Sequence, residues 1–270
     1  MLQRAMPDHY EADFIIYNSG DSFELGEQLK GIQNLTVLDG KSCIFWASGI
    51  RLALDKYFEN NSGCECEVAF IFFNDDVRFD LPNLKLWIQT ALLNLDGNIA
   101  TGSVCVEDSG QITYSGFRKT FTRFHKIKNY SELRVVDAIN FNLAMFPGPF
   151  IRQNYKNTFN FVHGYADLYT SNYFLKKGGS IEIYKLPVGL CAQNNYHDMY
   201  NLSNIFKKAL FDLYSDPKYY LISDAKKFSD LFGVLKYYVF FRSFVGVFVR
   251  WVISHVFNFC NKVIEVLKDK

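Results

Sequence analysis

Two acidic positions in this chain have the surroundings that metal chemistry and acid–base chemistry require. The first is Asn74-Asp75-Asp76, which directly follows the apolar run Glu67–Phe73. Carboxylate oxygens are hard ligands, and one or two of them commonly hold Mg²⁺ or Mn²⁺ together with the phosphates of a substrate. Asp75 and Asp76 are therefore predicted metal ligands. The alternative is that a strand ending in Asn-Asp-Asp simply enters a turn.

The second position is Asp167, at the start of a helix predicted over Asp167–Lys177. Gly178-Gly179 follows this segment and is typical of a helix C-terminus. The positive end of the helix dipole favours an ionised carboxylate, which can then accept a proton as a general base. The alternative is that Asp167 only caps the helix.

The elements around the first position predict the sheet that presents it. Asp13–Tyr17 and Glu67–Phe73 are short apolar runs of the kind buried in a parallel sheet, and Ile44–Phe58 has helical spacing between them. This alternation predicts an α/β fold with a Rossmann-like, mixed and mostly parallel sheet that has flanking helices. Ligands of such sheets bind beyond the carboxyl ends of the strands, so Asn74–Asp76 should lie in the cleft.

The alternation changes in the middle of the chain. Turn residues Glu107–Gly110 predict a hairpin, and Pro147-Gly148-Pro149 predicts a second change of direction. The extended segments expected here are Asn98–Val106 with Gln111–Ser115, Val135–Ile139 with Asn142–Phe146, and Ser180–Leu186.

The C-terminal part differs in character, which predicts a domain over residues 1–200 and a helical extension over 201–270. Gly233–Phe259 is rich in Phe, Val and Tyr, but basic residues interrupt it before an uncharged run reaches the roughly 20 residues of a spanning helix. We expect an amphipathic helix lying in the membrane interface, with Arg242 free to extend toward the headgroups. Packing on the domain or on a partner subunit is the alternative. Its polar stripe comprises Lys236, Ser243, Arg250, Ser254, Asn258, Asn261, Glu265 and Lys268.

Composition bounds the partners and the compartment. Lys and Arg total 29 against 28 Asp and Glu, so no net field gathers nucleic acid. Residues 1–10 lack the apolar stretch of a signal peptide, and the six scattered cysteines are typical of reduced thiols. We therefore expect a cytoplasmic protein, peripheral to the inner face of the plasma membrane.

The joint order of these motifs resembles a known family. Residues 11–190 look like the core of family 2 glycosyltransferases of the GT-A fold, especially bacterial enzymes of surface polysaccharide and lipopolysaccharide synthesis. The matching segments are Asp13–Glu24 (second strand and base-binding loop), Phe45–Leu54 (helix start beside the sugar nucleotide), Asn74–Val77 (metal motif), Thr101–Gly116 (hairpin), Asp137–Pro147 (acceptor-side strands) and His163–Asp167 (the His-x-x-x-Asp segment).

The resemblance implies a metal-assisted, inverting hexosyltransferase with Asp167 as catalytic base and Asp75 and Asp76 on Mg²⁺ or Mn²⁺. It implies a nucleotide-diphosphate sugar donor, a glycan or lipid-linked acceptor, and contact with the membrane through the C-terminal helix. Formation of a homodimer is a further possibility. The implied nucleotide-sugar residues are Tyr17, Asn18, Asp21, Trp46, Asn74 and Asp75, and the implied acceptor residues are His163 and Tyr165.

Three departures from the family favour an alternative, a catalytically degenerate binding or scaffold protein at the membrane. Tyr17 stands where the family has an acidic residue, and Tyr173 where it commonly has Arg. Residues 2–10 resemble the end of the family's first helix, and its opening strand has no counterpart. Retention of Asp75, Asp76 and Asp167 favours the enzyme. A nucleotidyltransferase would require a Gly-rich phosphate loop near the start, which the sequence lacks.

Overall fold

The computed structural model describes residues 2–18, 31–40, 45–61, 68–130, 136–162, 164–192, 205, 209–215 and 222–268. The chain forms two compact units. The first comprises Met1–Thr120 and Phe124–Gln193, and the second comprises Phe121–Arg123 and Asn194–Lys270. The boundary predicted at residue 200 lies outside the described residues.

The strands of the first unit form three sheets. β1 and β2 pair in parallel, β7 lies between β8 and β9, and the largest sheet has the order β3-β10-β5-β11-β4 with β6 on β5. In chain order the strands are β1 (Phe14–Asn18), β2 (Leu35–Asp39), β3 (Ala69–Phe73), β4 (Arg78–Phe79), β5 (Ile99–Val106), β6 (Ile112–Tyr114), β7 (Gly116–Lys119), β8 (Phe124–Lys126), β9 (Ala138–Ile139), β10 (Leu143–Pro147) and β11 (Ser180–Leu190).

Helices flank these sheets at positions that the sequence explains. The first unit contains α1 (Leu2–Ala5), α2 (Trp46–Asn60), α3 (Leu81–Leu95), α4 (Gly148–Thr158) and α5 (Ala166–Lys176). Asp80 caps α3 by accepting a hydrogen bond from the Asn83 amide at 2.9 Å. Gly178, with φ +87°, provides the left-handed residue just beyond α5.

The mixed α/β class is confirmed, with less parallel pairing than expected. Among the described strands, β1–β2 and β5–β11 pair in parallel, whereas β10 runs antiparallel to both β3 and β5. The predicted hairpin of β5 and β6 is present. The pairing expected between residues 135–139 and 142–146 is wrong, because β9 pairs with β7 while β10 enters the large sheet. The buried Phe141 occupies the core between them instead of a tight hairpin turn.

The core of the first unit lies between α3 and the large sheet and continues as a cluster of aromatic rings. Trp87 and Ile88 of α3 are fully buried and pack against Leu143 and Met145. Beside them, Phe72, Phe141, Phe146 and Phe159 contact one another with ring centroids 5.1 to 6.2 Å apart. This aromatic cluster joins β3, β10 and the segments that flank α4, so it fixes the ends of the strands that carry the predicted site.

The second unit is helical and ends in a long apolar helix, as expected. It contains α6 (Leu210–Ser215), α7 (Ile222–Ser229), a 3₁₀ turn (Asp230–Leu235) and α8 (Lys236–Lys268). By length and composition alone, Ile222–Cys260 would be sufficient to cross a membrane. Arg242 is not free to extend: its guanidinium donates hydrogen bonds to the Thr122 hydroxyl at 3.2 Å and the Thr122 carbonyl at 2.9 Å.

Candidate functional site

The end of β3 brings two predicted nucleotide-sugar residues into direct contact. The Trp46 indole, in the first turn of α2, donates a hydrogen bond to the Asn74 side-chain oxygen at 2.8 Å. The Asn74 side chain in turn donates to the Asn142 side-chain oxygen at 3.2 Å. The amide thus has fixed partners on both sides, which orients the turn that carries Asp75 and Asp76.

The two predicted metal ligands are exposed at this turn, in the position that ligand binding at a strand end requires. Partial enclosure of the Asp76 carboxyl, and secondly the charge of Asp75, raise the pKa of Asp76. A cation bound beside Asp76 would offset both the burial and the neighbouring negative charge that raise its pKa. The pair therefore fits the hard-cation chemistry expected of it.

Cys191 supports Asp76 from beneath and was not foreseen. It follows β11 and is 2% exposed; its thiol donates a hydrogen bond to the Ala192 carbonyl at 3.6 Å, and it lies close enough to the Asp76 carboxyl for each group to influence the pKa of the other. Burial, and secondly the charge of Asp76, raise the pKa of Cys191 to about 11, so the thiol stays protonated near neutral pH. Its sulfur also accepts a hydrogen bond from the Asn142 side chain at 3.4 Å.

Asp167 lies in the first turn of α5 with its carboxyl enclosed. One oxygen accepts a hydrogen bond from the Leu168 amide at 2.8 Å and the other accepts from the Asn140 side chain at 3.4 Å. Burial raises the pKa of Asp167 to about 6, and backbone hydrogen bonds oppose the shift. A carboxyl with this pKa is a base suited to near-neutral pH. The N-cap residue of the helix is Tyr165.

The segment Asn140-Phe141-Asn142 connects the two acidic positions. Asn140 contacts Asp167, and Asn142 contacts Cys191, which lies near enough to Asp76 to influence its pKa. The Asn142 amide also donates to the Asn140 side-chain oxygen at 2.8 Å, so the two asparagines hold each other. Between them, Phe141 is 1% exposed and stacks on Phe72 at 5.1 Å. One loop of three residues therefore serves both acids.

The first turn of α2 is attached to the segment that leads to Asp167. The Ser48 hydroxyl donates to the Phe161 carbonyl at 3.2 Å, and the Ser48 amide donates to the Val162 carbonyl at 3.4 Å. Because Trp46 belongs to the same turn, the predicted donor side and the predicted base belong to one connected set of contacts.

Tyr165 enters α5 with a backbone conformation that is uncommon outside glycine. Its φ is +68°, and its carbonyl accepts the Tyr169 amide at 2.8 Å. Such a left-handed conformation costs on the order of 1 kcal/mol and persists only where surrounding contacts enforce it. The strained residue lies two positions before Asp167, where it sets the direction in which the helix starts.

Tyr17 and Asn18 lie at the end of β1, beneath α2. The Tyr17 ring packs so closely on Gly40 and Gly49 that a β-carbon at Gly49 would lie 3.0 Å from it. The Tyr17 hydroxyl is buried and has no hydrogen-bond partner in the part of the chain that the structure describes. Asn18 donates to the Asp39 carboxylate at 3.4 Å. Asp21 and His163 lie outside the described residues.

The residues that sequence reasoning missed are Asn140, Asn142, Cys191 and Lys126. Lys126 is on β8, with its ammonium group 4.9 Å from the centre of the Tyr114 ring. Burial, followed by the neighbouring Lys128, lowers the pKa of Lys126, and the electrostatic influence of Cys191 opposes this. Polar residues between apolar strands were a usable signal for the asparagines, because buried amides require partners.

No ready-made cage of three or more His, Cys, Asp or Glu side chains occurs among the described residues. A cavity of about 280 Å³ beside α3 contains none of the predicted site residues. It is lined by Thr90, Asn94, Thr101, Glu182, Ile183, Tyr184, Lys185 and Leu186. The candidate site is therefore the open edge where β3, β9 and β11 end.

No protein-family model and no curated protein matches the chain. The case for function consequently depends on the chemistry of the site and on the resemblance of its motifs.

Proposed function

We propose that this protein is an inverting glycosyltransferase of the GT-A fold, resembling family 2, that moves a sugar from a nucleotide-diphosphate donor to a hydroxyl of a glycan or lipid-linked acceptor. The observation that carries the proposal is the loop 140–142, since Asn140 contacts Asp167 while Asn142 contacts Cys191, whose thiol lies near enough to Asp76 to influence its pKa. An acid at a strand end and an acid at a helix start thereby serve a single site.

In this reaction Asp167 accepts the proton of the acceptor hydroxyl as its oxygen attacks the anomeric carbon. The bond to the diphosphate breaks on the opposite face, so one displacement inverts the configuration, as in inverting glycoside hydrolysis. Asp75 and Asp76 would hold Mg²⁺ or Mn²⁺. When bound, the cation supplies Lewis-acid stabilisation of the leaving diphosphate.

The remaining predicted residues divide between donor and acceptor. Trp46 and Asn74, joined by their hydrogen bond, form the donor side nearest the acids. The resemblance to family 2 assigns Tyr17, Asn18 and Asp21 to the nucleotide, and His163 and Tyr165 to the acceptor. Membrane association through α8 would bring a lipid-linked acceptor to the site, at the inner face of the plasma membrane in surface polysaccharide synthesis.

A thermal-shift screen of sugar nucleotides, with and without Mn²⁺, tests this function. At least one donor should raise the Tm in the presence of Mn²⁺, because a ligand that binds only the folded state stabilises it. Asp76→Asn should remove the Mn²⁺-dependent part of the shift. Asp96→Asn is the matched control. Asp96 is an exposed acid just beyond the C-terminus of α3, shortly before the start of β5, whereas the opposite end of β5 is the one that lies near Asp76.

The enzymatic proposal is contradicted if no sugar nucleotide changes the Tm, either with or without Mn²⁺. Such a result, with the fold intact, would favour the degenerate binding or scaffold protein. A shift that Asp76→Asn leaves unchanged would retain donor binding and remove Asp76 from the cation site.

A further inference from the structure

The helix α8 turns apolar side chains outward along its length. Six of them lie on one side of the helical wheel and are 38 to 75% exposed: Tyr237, Phe241, Phe248, Val252, Val256 and Phe259. Scattered exposed hydrophobic residues are ordinary, but a continuous face of this kind marks an interaction surface.

Two serines of the polar stripe form their hydrogen bonds within the helix itself. Ser254 is 1% exposed and donates its hydroxyl hydrogen bond to the Trp251 carbonyl at 2.7 Å. Ser243 likewise donates to the Val239 carbonyl at 2.9 Å. Because these hydroxyls are satisfied within the helix, neither serine requires a further polar partner at the helix surface.

The turn between β7 and β8 extends this apolar face. Phe121 is 87% exposed and belongs to the same compact unit as α8. Its neighbour Thr122 receives both hydrogen bonds of Arg242, and the Arg242 guanidinium lies 5.9 Å from the centre of the Tyr238 ring. These contacts hold the residue next to Phe121 against α8, one residue along the helix from the exposed Phe241.

The charge of this segment selects the type of surface that it fits. Residues 231–264 contain Lys236, Arg242, Arg250 and Lys262 and no acidic residue. Lys236 forms an ion pair with Asp230 at 3.7 Å. Exposed aromatic and aliphatic side chains together with basic residues are typical of a helix bound at an anionic lipid surface.

We infer that Phe121 and the exposed face of α8 form one membrane-docking surface for anionic bilayers, in which Phe121 is a second anchor separate from the helix. The inference rests on the membrane association within the proposed function and adds its lipid class and its second element. Arg242 positions the anchor by holding Thr122 against the helix. The exposed ring of Phe121 then enters the interface together with the helix face.

Vesicle co-flotation of the full chain tests the inference. Vesicles of phosphatidylcholine with roughly one third phosphatidylglycerol should bind the protein at least fivefold more tightly than pure phosphatidylcholine vesicles, since several basic residues each contribute near an anionic surface. Phe121→Ser should weaken binding to the anionic vesicles by about fivefold through loss of buried apolar area. Leu93→Ser is the matched control, because Leu93 is 78% exposed on α3 in the other unit.

The helix is tested separately with Phe241→Ser/Phe259→Ser. If this pair abolishes binding while Phe121→Ser binds as the wild type does, the second anchor is overturned and the helix proposal stands. If the wild type ignores both kinds of vesicle, or forms a dimer through α8 that leaves the face covered, the docking surface is overturned. Sugar-nucleotide binding is read independently by thermal shift, so either result leaves the enzymatic proposal to its own test.

Insertion can also be observed directly. In a Trp251→Phe background, Phe121→Trp should add emission that a quencher attached to the lipid acyl chains removes, because the added indole enters the interface. If the quencher leaves the emission of this added indole unchanged, residue 121 lies in water, and its role as an anchor is overturned.

Discussion

The two units of the molecule use aromatic residues in opposite ways. In the first, Phe72, Phe141 and Phe159 are at most 7% exposed and form a floor beneath a group of polar side chains. In the second, α8 exposes Phe241 and Phe259 and buries Ser254. The first arrangement holds polar groups rigidly at an open edge, as acid–base chemistry requires. The second leaves an apolar face exposed, which is the arrangement that the proposed docking to a lipid surface requires.

The largest expected effect tests this difference with one substitution made in both units. Phe141→Ala should lower the free energy of unfolding by about 4 kcal/mol, because it removes a buried ring and leaves a cavity. Phe241→Ala should change it by less than about 0.5 kcal/mol, since that ring is 65% exposed. Urea denaturation in the absence of lipid provides the measurement. Similar losses for the two variants would mean that Phe241 is buried in solution.

The next effect concerns chemistry at the polar site. Asp167→Asn should slow sugar transfer about a hundredfold or more, because an amide cannot accept the proton of the acceptor hydroxyl. Donor affinity should stay within about twofold, since the amide is nearly isosteric and the donor side is formed by other residues. Single-turnover assays with a donor from the thermal-shift screen measure both. Turnover near the wild-type rate would exclude Asp167 as the base.

The pH dependence of transfer follows from the same carboxyl. Burial raises the pKa of Asp167 from 3.8 to about 6, and the base acts only when ionised. We expect kcat/KM to rise roughly tenfold per pH unit below pH 6 and to level off above it. The raised pKa also means that Asp167 contributes stability below its unfolded pKa and loses it as pH rises through about 6. Asp167→Asn should flatten both dependences, and a limb that survives in the variant would belong to another group.

The sequence predicted many of the elements of both units, because the patterns that specify them involve neighbouring residues. The strand before Asn74–Asp76, the helix at Asp167 and the C-terminal apolar helix depend on neighbouring residues, and the structure contains each of these elements. Local signals also existed for α3, namely Asp80 at its cap and apolar residues at helical spacing, yet this helix was not predicted.

The supporting contacts were not accessible in the same way. Cys191 reaches Asn142 across 49 positions of sequence, and Asn140 reaches Asp167 across 27. Such pairs depend on how strands are ordered in the sheet, and β10 takes a place beside β3 that its spacing does not specify. The turn containing Phe121 was missed for the same reason, because its neighbour Thr122 contacts Arg242 from 120 positions away.

A smaller effect tests the loop that joins the two acids. Asn142→Ala should weaken Mn²⁺ binding by about fivefold, because it removes a hydrogen bond to Cys191 and one from Asn74, and so loosens the Asp76 turn. Isothermal titration with Mn²⁺ and a donor measures this. Asn154→Ala is the control: its amide bonds only to the Phe150 carbonyl within α4 among the contacts described, so Mn²⁺ affinity should not change. Equal effects from both variants would reduce the role of Asn142 to general stability.

The smallest expected effect concerns one buried serine in each unit and its contribution to the free energy of unfolding. Ser115 and Ser254 are each 1% exposed, but their hydroxyls satisfy different kinds of acceptor. Ser115 donates to the Ile127 carbonyl at 2.7 Å, across two segments of the first unit. Ser254 donates to the Trp251 carbonyl within α8, where the helix backbone provides that oxygen with another partner.

Replacement by alanine should therefore separate the two positions. Ser115→Ala should cost about 1 kcal/mol of unfolding free energy, because a buried carbonyl loses a partner. Ser254→Ala should cost less than about 0.5 kcal/mol, since alanine also favours the helix. Thermal and urea unfolding would detect the difference. A loss at Ser254 as large as that at Ser115 would show that the Ser254 hydroxyl also stabilises a contact outside its own helix. The buried serine of α8 would then contribute as much to the stability of its unit as Ser115 does to the first unit.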